Sequence, residues 1–306
     1  MSLVINHNLM AMNAARNLSQ SYGNLATSTR RLSSGLRVGT AADDAAGLAI
    51  RELMRADIAS LNQGVRNAND AISMIQTADG ALQVIDEKLI RMKELAEQAA
   101  TGTYSSDQRL LIDSEYQAMA SEITRIANAT DFNGIYLLNG NLSGTTHNGA
   151  GLSSVGQLKV HFGAGNAAEE DYYYIRIGNA TASALGVGNQ ADRTRANGIH
   201  GVAGAGFSIS TQQAAQRALD SINAAITSKD NIRANLGALQ NRLENTITNL
   251  TIQAENLQSA ESRISDVDVA SEMTEFVRNQ ILTQSAVAML AQANQLPQLA
   301  MQLLQG

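Results

Sequence analysis

Apolar residues recur every three or four positions at both ends of this chain, a spacing typical of amphipathic helices. The pattern begins close to the N-terminus, where alternating steps of four and three predict one coiled-coil helix. This first stripe contains Leu18, Tyr22, Leu25, Thr29, Leu32 and Leu36. Gly35 and Gly39 then predict a break in the helix.

A second, longer stripe follows the break. It predicts a helix from Gly47 to Ala99, with Asp43 and Asp44 as its N-cap and first-turn acids. A third helix is predicted to follow, with Ser106 as its N-cap and an apolar stripe from Ile112 to Ile126. Helices of this length are not stable alone, so their stripes must be buried against other helices.

The middle of the chain has a different pattern. Residues 134–206 contain 15 of the chain's 24 glycines, and Asn133-Gly134 is a typical hairpin turn pair. Residues 158–162 and 172–177 are rich in β-forming residues and lie on either side of a glycine-containing loop, which predicts a β-hairpin. We therefore expect a small β region at about 131–207.

Helical spacing returns at Ser210 or Thr211 and continues until a polar patch, Ser262 to Asp268, interrupts it. A last stripe then contains Leu282, Ala286, Met289, Ala293, Leu296, Ala300 and Leu303. The predicted fold class is mainly α with a small β region. The two terminal stripes need a partner, which is either the other terminus or a neighbouring copy of the chain.

Composition excludes several classes of function. The chain has a formal net charge of −6 with scattered basic residues, so it lacks the basic face that nucleic-acid binding requires. It has no cysteine, which excludes disulfides and thiol chemistry. Charged residues make up 16%, against about 25% in a typical soluble protein. The first residues do not resemble a secretory signal peptide, and no stretch is apolar enough to span a bilayer.

No motif predicts catalysis. The four histidines are too far apart for a predicted metal site. The Gly163-Ala-Gly-Asn-Ala-Ala168 segment matches a dinucleotide fingerprint by letter, but a strand is predicted after it where the fingerprint needs a helix. Asp43 and Asp44 are adjacent on a helix and do not face each other, so capping is the better interpretation. We expect no enzyme activity and no cofactor.

Several segments closely resemble bacterial flagellin. On the N-terminal side these are residues 32–38 (LSSGLRV), 43–50 (DDAAGLAI), 67–73 (NANDAIS), 76–82 (QTADGAL) and 132–134 (FNG). On the C-terminal side they are residues 236–243 (LGALQNRL), 255–264 (ENLQSAESRI) and 288–294 (AMLAQAN). The resemblance covers most of both terminal regions, with a short middle that leaves no room for a separate outer domain.

The resemblance implies a structural subunit that polymerises into the bacterial flagellar filament used for motility. Its terminal segments, residues 1–42 with 265–306, would form a long antiparallel coiled coil that lines the filament's inner tube. Residues 43–264 would form a helical shell domain that includes the β region. The implied inner-tube assembly stripe consists of Leu18, Leu25, Leu32, Leu36, Met289, Leu296 and Leu303.

The resemblance also implies a location and partners. A flagellin is exported unfolded by the flagellar type III apparatus and assembled outside the cell at the filament tip. Its implied partners are further copies of itself, an export chaperone, the filament cap and hook-associated proteins. The segment around Arg91 resembles the site that a vertebrate toll-like receptor recognises, which implies Arg91, Leu95 and Glu115 as contacts.

Two alternatives share the helical pattern. A hook–filament junction protein has related ends but does not form the bulk filament. A soluble helical adaptor would bury its stripes within one chain, as a compact monomer with ordered termini.

Overall fold

The computed structural model describes residues 8–147, 156–167, 170–187 and 208–305, with side chains described as far as residue 295. Five helices account for most of it: α1 (Leu9–Ser34), α2 (Ala45–Ala100), α3 (Ser106–Ala129), α4 (Gln212–Ser265) and α5 (Val269–Gln305). Four short strands lie between α3 and α4: β1 (Asp131–Phe132), β2 (Ile135–Tyr136), β3 (Leu158–His161) and β4 (Tyr172–Ile175). The predicted class, mainly α with a small β region, is confirmed.

The chain divides into two compact units, with boundaries inside α2 and α4. Unit 1 contains Met1–Ile58 and Glu255–Gly306, and unit 2 contains Ala59–Ala254. Unit 1 therefore includes α1, α5, the start of α2 and the end of α4. Unit 2 includes the remainder of the two long helices, α3 and the four strands.

Polar N-cap side chains mark where α2 and α3 begin, and both N-caps differ from the predicted ones. Asp44, not Asp43, is the N-cap of α2, since its carboxylate accepts from the Gly47 N–H at 2.9 Å. Ser105, not Ser106, caps α3. Its hydroxyl accepts from the Gln108 N–H and the Gln108 side chain accepts from the Ser105 N–H, which forms a capping box.

The core of unit 2 is a continuous apolar cluster contributed by α2, α3, α4 and the β region. Its largest fully buried apolar side chains include Ile75, Leu82, Ile85, Leu89, Met92, Ile123, Leu137, Leu138 and Leu142. α2 and α3 are antiparallel, because Arg91 on α2 meets Glu115 on α3, and Arg109 on α3 donates to the Ala99 carbonyl at 2.9 Å. Tyr116 is also fully buried, and its burial raises the pKa of its hydroxyl.

Two antiparallel hairpins form the β region. β1 and β2 are joined by Asn133 and Gly134, both at positive φ (52° and 79°), as a type I′ turn requires. β3 pairs with β4 in the register Leu158↔Ile175 to His161↔Tyr172. Both predicted hairpins are confirmed, although β3 and β4 end one and two residues earlier than expected.

The second hairpin lies directly against α2 at a glycine. A Cβ atom on Gly64 would collide with the backbone carbonyl of Phe162. One turn further along the helix, the Asn67 side-chain amide donates to the His161 carbonyl at 2.8 Å. The glycine allows the backbone of β3 to approach the helix, and the asparagine provides a hydrogen bond at that approach.

Candidate assembly interface

The two terminal helices of unit 1, α1 and α5, pack along each other. Their polar contacts run in opposite order along the two segments. Asn8 at the start of α1 meets Ala293, Arg31 near its end meets Glu272, and Leu36 beyond its end bridges to Asp266. The pair is therefore antiparallel, as the resemblance implied.

The buried side of α1 follows a heptad pattern. Alternating steps of three and four connect its buried and half-buried residues Ala11, Ala14, Leu18, Ser21, Leu25, Ser28 and Leu32. The predicted stripe residues Leu18, Leu25 and Leu32 lie on this side, while Tyr22 and Thr29 are exposed. Ser21 and Ser28 occupy the seam instead. Leu36 lies just beyond α1, half-buried.

The buried side of α5 overlaps only in part with the predicted stripe, through Ala286 and Ala293. Its buried and half-buried residues, in steps of four and three, are Glu272, Phe276, Asn279, Thr283, Ala286, Leu290 and Ala293. Leu282 and Met289 of the predicted stripe lie outside this seam, with side chains 48% and 59% exposed, so their role in assembly stays a prediction. On α5 the seam combines small or polar residues with Phe276 and Leu290. Leu296 and Leu303 lie on the helical backbone of α5, but their side chains are outside the described part of the chain.

Beyond α1, the two helix breaks of unit 1 are tied to each other. The Arg37 N–H donates to the Ser265 carbonyl at 2.7 Å, and the Val267 N–H donates to the Gly35 carbonyl at 3.0 Å. The Arg37 guanidinium adds a hydrogen bond to the Ile264 carbonyl at 2.7 Å. These bonds place the break between α1 and α2 against the break between α4 and α5, and so fix one end of the helix pair.

Charged side chains brace the break between α1 and α2. Arg51 on α2 is buried and donates to the Val38 carbonyl at 2.7 Å. Asp43 forms an ion pair with Arg30 at 2.7 Å. A hydrogen bond from the Thr40 hydroxyl, assisted by Arg30, lowers the pKa of Asp43. These residues were not predicted as functional, because they stabilise a turn. The hydrophobic pattern of a sequence does not indicate the shape of such a turn.

Much of the apolar surface of the terminal helices remains exposed after they pair. On α1 and α5 the exposed large apolar residues are Leu9, Met10, Met12, Tyr22, Val269, Met273, Val277, Ile281, Leu282, Val287 and Met289. Some of them line a groove of about 730 Å³ along the pair, between Met10 and Asn24 on α1 and between Leu282 and Met289 on α5. A helix with apolar residues around its whole circumference is normally buried in an assembly.

On unit 2, the structure brings together two of the three residues implied as receptor contacts. The Arg91 guanidinium donates to the Glu115 carboxylate at 2.8 and 3.0 Å and to Glu94 at 2.9 Å. These bonds, with Glu94 and then Glu115, raise the pKa of Arg91. Leu95 is only 2% exposed and belongs to the core. A contact through the Leu95 side chain is therefore inconsistent with this structure, because apolar packing occupies it.

The described part of the chain contains no cluster of His, Cys, Asp or Glu that could hold a metal ion. No helix described in the structure has the length and hydropathy needed to cross a membrane.

Comparison with known proteins agrees with the geometry. Residues 5–143 match the family model of the bacterial flagellin N-terminal helical region, and residues 219–304 match that of the C-terminal helical region. The chain is 42% identical over 302 residues to the flagellar filament 33 kDa core protein of Treponema phagedenis. It is also 42% identical over 302 residues to a flagellin of Halalkalibacterium halodurans. Each alignment covers 99% of this chain and 100% of the relative.

Among solved structures, a putative flagellar hook-associated protein of Vibrio parahaemolyticus has a similar fold, with a TM-score of 0.53. It is 14% identical and covers 73% of this chain and 100% of its own. That likeness concerns the fold alone, whereas the full-length matches are to filament proteins. The chain belongs to the bacterial flagellin family, and it is a structural subunit of the extracellular flagellar filament used for motility.

Proposed function

We propose that unit 1 is the part of the molecule through which filament subunits join. The terminal pair, residues 1–42 with 265–306, forms the inner-tube domain, and residues 43–264 form the surrounding shell. The observation that carries this proposal is the large apolar surface that α1 and α5 leave exposed after they pack together. In the filament, neighbouring copies bury this surface. A heterologous contact of this kind that does not close produces a helical tube.

The same surface supports a proposal for export and folding. In the seam, alanine, serine, threonine and asparagine outnumber the large apolar residues, so the pair buries less apolar area than a leucine seam would and gains less stability before neighbours arrive. The terminal segments are then unfolded during type III export and fold as they assemble. By resemblance, the partners on this route are an export chaperone, the filament cap and hook-associated proteins.

The test is a substitution on the exposed face of α5. Met289→Glu places a charge on a surface that is exposed in the single chain but buried in the proposed filament. We expect purified Met289→Glu to remain unpolymerised when seeded with filament fragments, as observed by electron microscopy. The matched control, Met289→Leu, keeps the position apolar and should polymerise. Normal filaments from Met289→Glu would show that this face of α5 is not an interface.

We also propose, on the resemblance and on the Arg91–Glu115 pair, that this surface of unit 2 is recognised by a vertebrate toll-like receptor. The contacts are the two charged side chains, which are 49% and 44% exposed, without Leu95. Arg91→Ala should weaken signalling in a receptor reporter cell line. Arg125→Ala is the matched control, because Arg125 is also exposed and forms an ion pair with Glu122. Equal signalling from both variants would refute the assignment.

A further inference from the structure

Asn8 uses both ends of its side-chain amide at the start of α1. Its carbonyl oxygen accepts from the Ala11 N–H at 3.0 Å, which caps the helix. Its nitrogen donates to the backbone carbonyl of Ala293 on α5 at 2.7 Å. The two partners determine which end is which, since Ala11 can only donate there and Ala293 can only accept. Asparagine can satisfy both partners at once. Aspartate and serine also cap helices well, but neither has an N–H donor at the end of its side chain.

The carbonyl that Asn8 binds has lost its usual partner. In an α-helix the carbonyl of residue 293 accepts from the N–H of residue 297. Residue 297 is proline, which has no N–H, and α5 continues through it to Gln305. Ala293 is itself buried, at 5% exposure. A buried carbonyl without a donor is unfavourable, and the Asn8 amide supplies that donor from the other helix.

This contact distinguishes one register of the helix pair from the others. Leu18, Leu25 and Leu32 recur at heptad spacing in the seam of α1, so a shift of α1 by one heptad would place similar residues opposite α5. Pro297 is the only proline in the chain, so Ala293 has the only carbonyl in the interior of α5 that proline deprives of its donor. In a shifted register Asn8 would meet carbonyls that already accept from their own helix.

We propose that Asn8 is a positioning residue for assembly, which fixes the register of α1 on α5 by donating to the carbonyl that Pro297 leaves free. The proposal rests on the proposed role of the terminal pair in subunit contacts. With the tied helix breaks at the other end, it fixes the antiparallel pair at both ends. A polar group that specifies register within a seam of weak specificity is a known use of asparagine in coiled coils.

The test is a double-mutant cycle on the full-length chain, with the critical concentration for seeded polymerisation as the readout. Asn8→Asp keeps the capping oxygen and removes the donor. Asn8→Ser keeps a capping oxygen and adds no charge, but its side chain is too short to reach the Ala293 carbonyl while it caps α1. Each should raise the critical concentration about fivefold, the effect of losing one hydrogen bond. Pro297→Ala restores the backbone N–H at residue 297. In that background the same substitutions should change the critical concentration less than about twofold.

The cycle separates this proposal from the assembly proposal. Equal effects of Asn8→Asp and Asn8→Ser in both backgrounds would mean that Asn8 acts only as a helix cap, and the register proposal would be wrong. Failure of Pro297→Ala to polymerise would also overturn it, because a restored backbone donor should make the proline dispensable. Normal polymerisation of Met289→Glu would instead refute the assembly surface, whatever the result at Asn8.

Discussion

The two units of this flagellin differ in how many of their buried side chains are polar. In unit 2, the buried positions are dominated by leucine, isoleucine, methionine and alanine, with Lys229 as the one buried charge among its described residues. In unit 1, the buried side chains include Ser28, Arg51, Ser265, Asn279 and Thr283. Most of the described large apolar side chains that remain exposed belong to unit 1, although it is the smaller unit.

This difference separates what folds alone from what needs neighbours. Unit 2 removes a large apolar area from water within one chain, which is the main source of folding free energy. Unit 1 places many small and polar residues between α1 and α5, while many of its large apolar residues remain exposed. On the proposed assembly, we expect its stability to depend on the concentration of subunits and that of unit 2 to be independent of it.

The strongest test of this comparison is removal of Met289–Gly306. The deletion takes away the last part of α5, including Ala293 and the groove residue Met289. We expect it to abolish filament formation in seeded assays viewed by electron microscopy. Unit 2 should keep its cooperative urea transition, followed by circular dichroism, because none of its residues is removed. Filaments from the truncated chain would contradict the proposed role of unit 1.

A matched pair of leucines sharpens the same comparison. Leu82 is fully buried in the core of unit 2, and Leu82→Ala should lower the free energy of unfolding of the monomer by about 2–5 kcal/mol. Leu25 lies half-buried in the seam of unit 1. Leu25→Ala should leave the urea transition of unit 2 unchanged and raise the critical concentration for polymerisation. A similar loss of monomer stability from both substitutions would mean that unit 1 is already folded in the monomer.

The sequence predicted the helices well because their signals are local. The spacing of apolar residues, the glycines after α1 and the polar patch at 262–268 indicated where helices begin and end to within a few residues. The Asn133-Gly134 pair likewise predicted its hairpin, since it is suited to two successive positive φ angles. The N-caps Asp44 and Ser105 were each misplaced by one residue, because a neighbouring aspartate or serine offers the same chemistry.

The sequence did not predict which side of α5 faces α1. Large apolar residues surround this helix, so no single side stands out, and the prediction chose the side with Leu282 and Met289. The structure places Asn279 and Thr283 in the seam, beside Ala286 of the predicted stripe. The contact between Asn8 and Ala293 was also missed, because it joins residues 285 positions apart through a backbone atom. No side-chain pattern signals such a contact.

Within unit 2, a smaller effect is expected where the hairpin meets α2. Gly64→Ala would place a methyl group against the carbonyl of Phe162. Because the nearest atoms of Phe162 belong to the backbone, they cannot easily move away from the added methyl group. We expect a loss of about 1–3 kcal/mol in the unfolding free energy of unit 2, measured by urea denaturation. Gly80→Ala on the same helix is the control, because no neighbouring atom lies within 4 Å of its added methyl group. It should be neutral or slightly stabilising. Equal effects would show that the hairpin does not depend on close approach.

The smallest predicted effect concerns the ion pair between Asp79 on α2 and Arg233 on α4, at 2.7 Å. The hydrogen bond from Arg233 lowers the pKa of Asp79 below its ordinary value of 3.8. Since the folded-state pKa is the lower one, the stabilisation is fully present above about pH 4 and is lost as the pH falls through the lowered pKa.

Asp79→Asn should reduce the unfolding free energy of unit 2 by about 1 kcal/mol at pH 7. It should also flatten the decline in stability on acidification, measured by urea denaturation between about pH 7 and pH 3. Glu122→Gln, which alters an exposed pair within α3, should leave stability at pH 7 close to that of the wild type. If Asp79→Asn and wild type lost stability in parallel on acidification, other carboxylates would account for the acid sensitivity, and the pair would serve only to align α2 with α4.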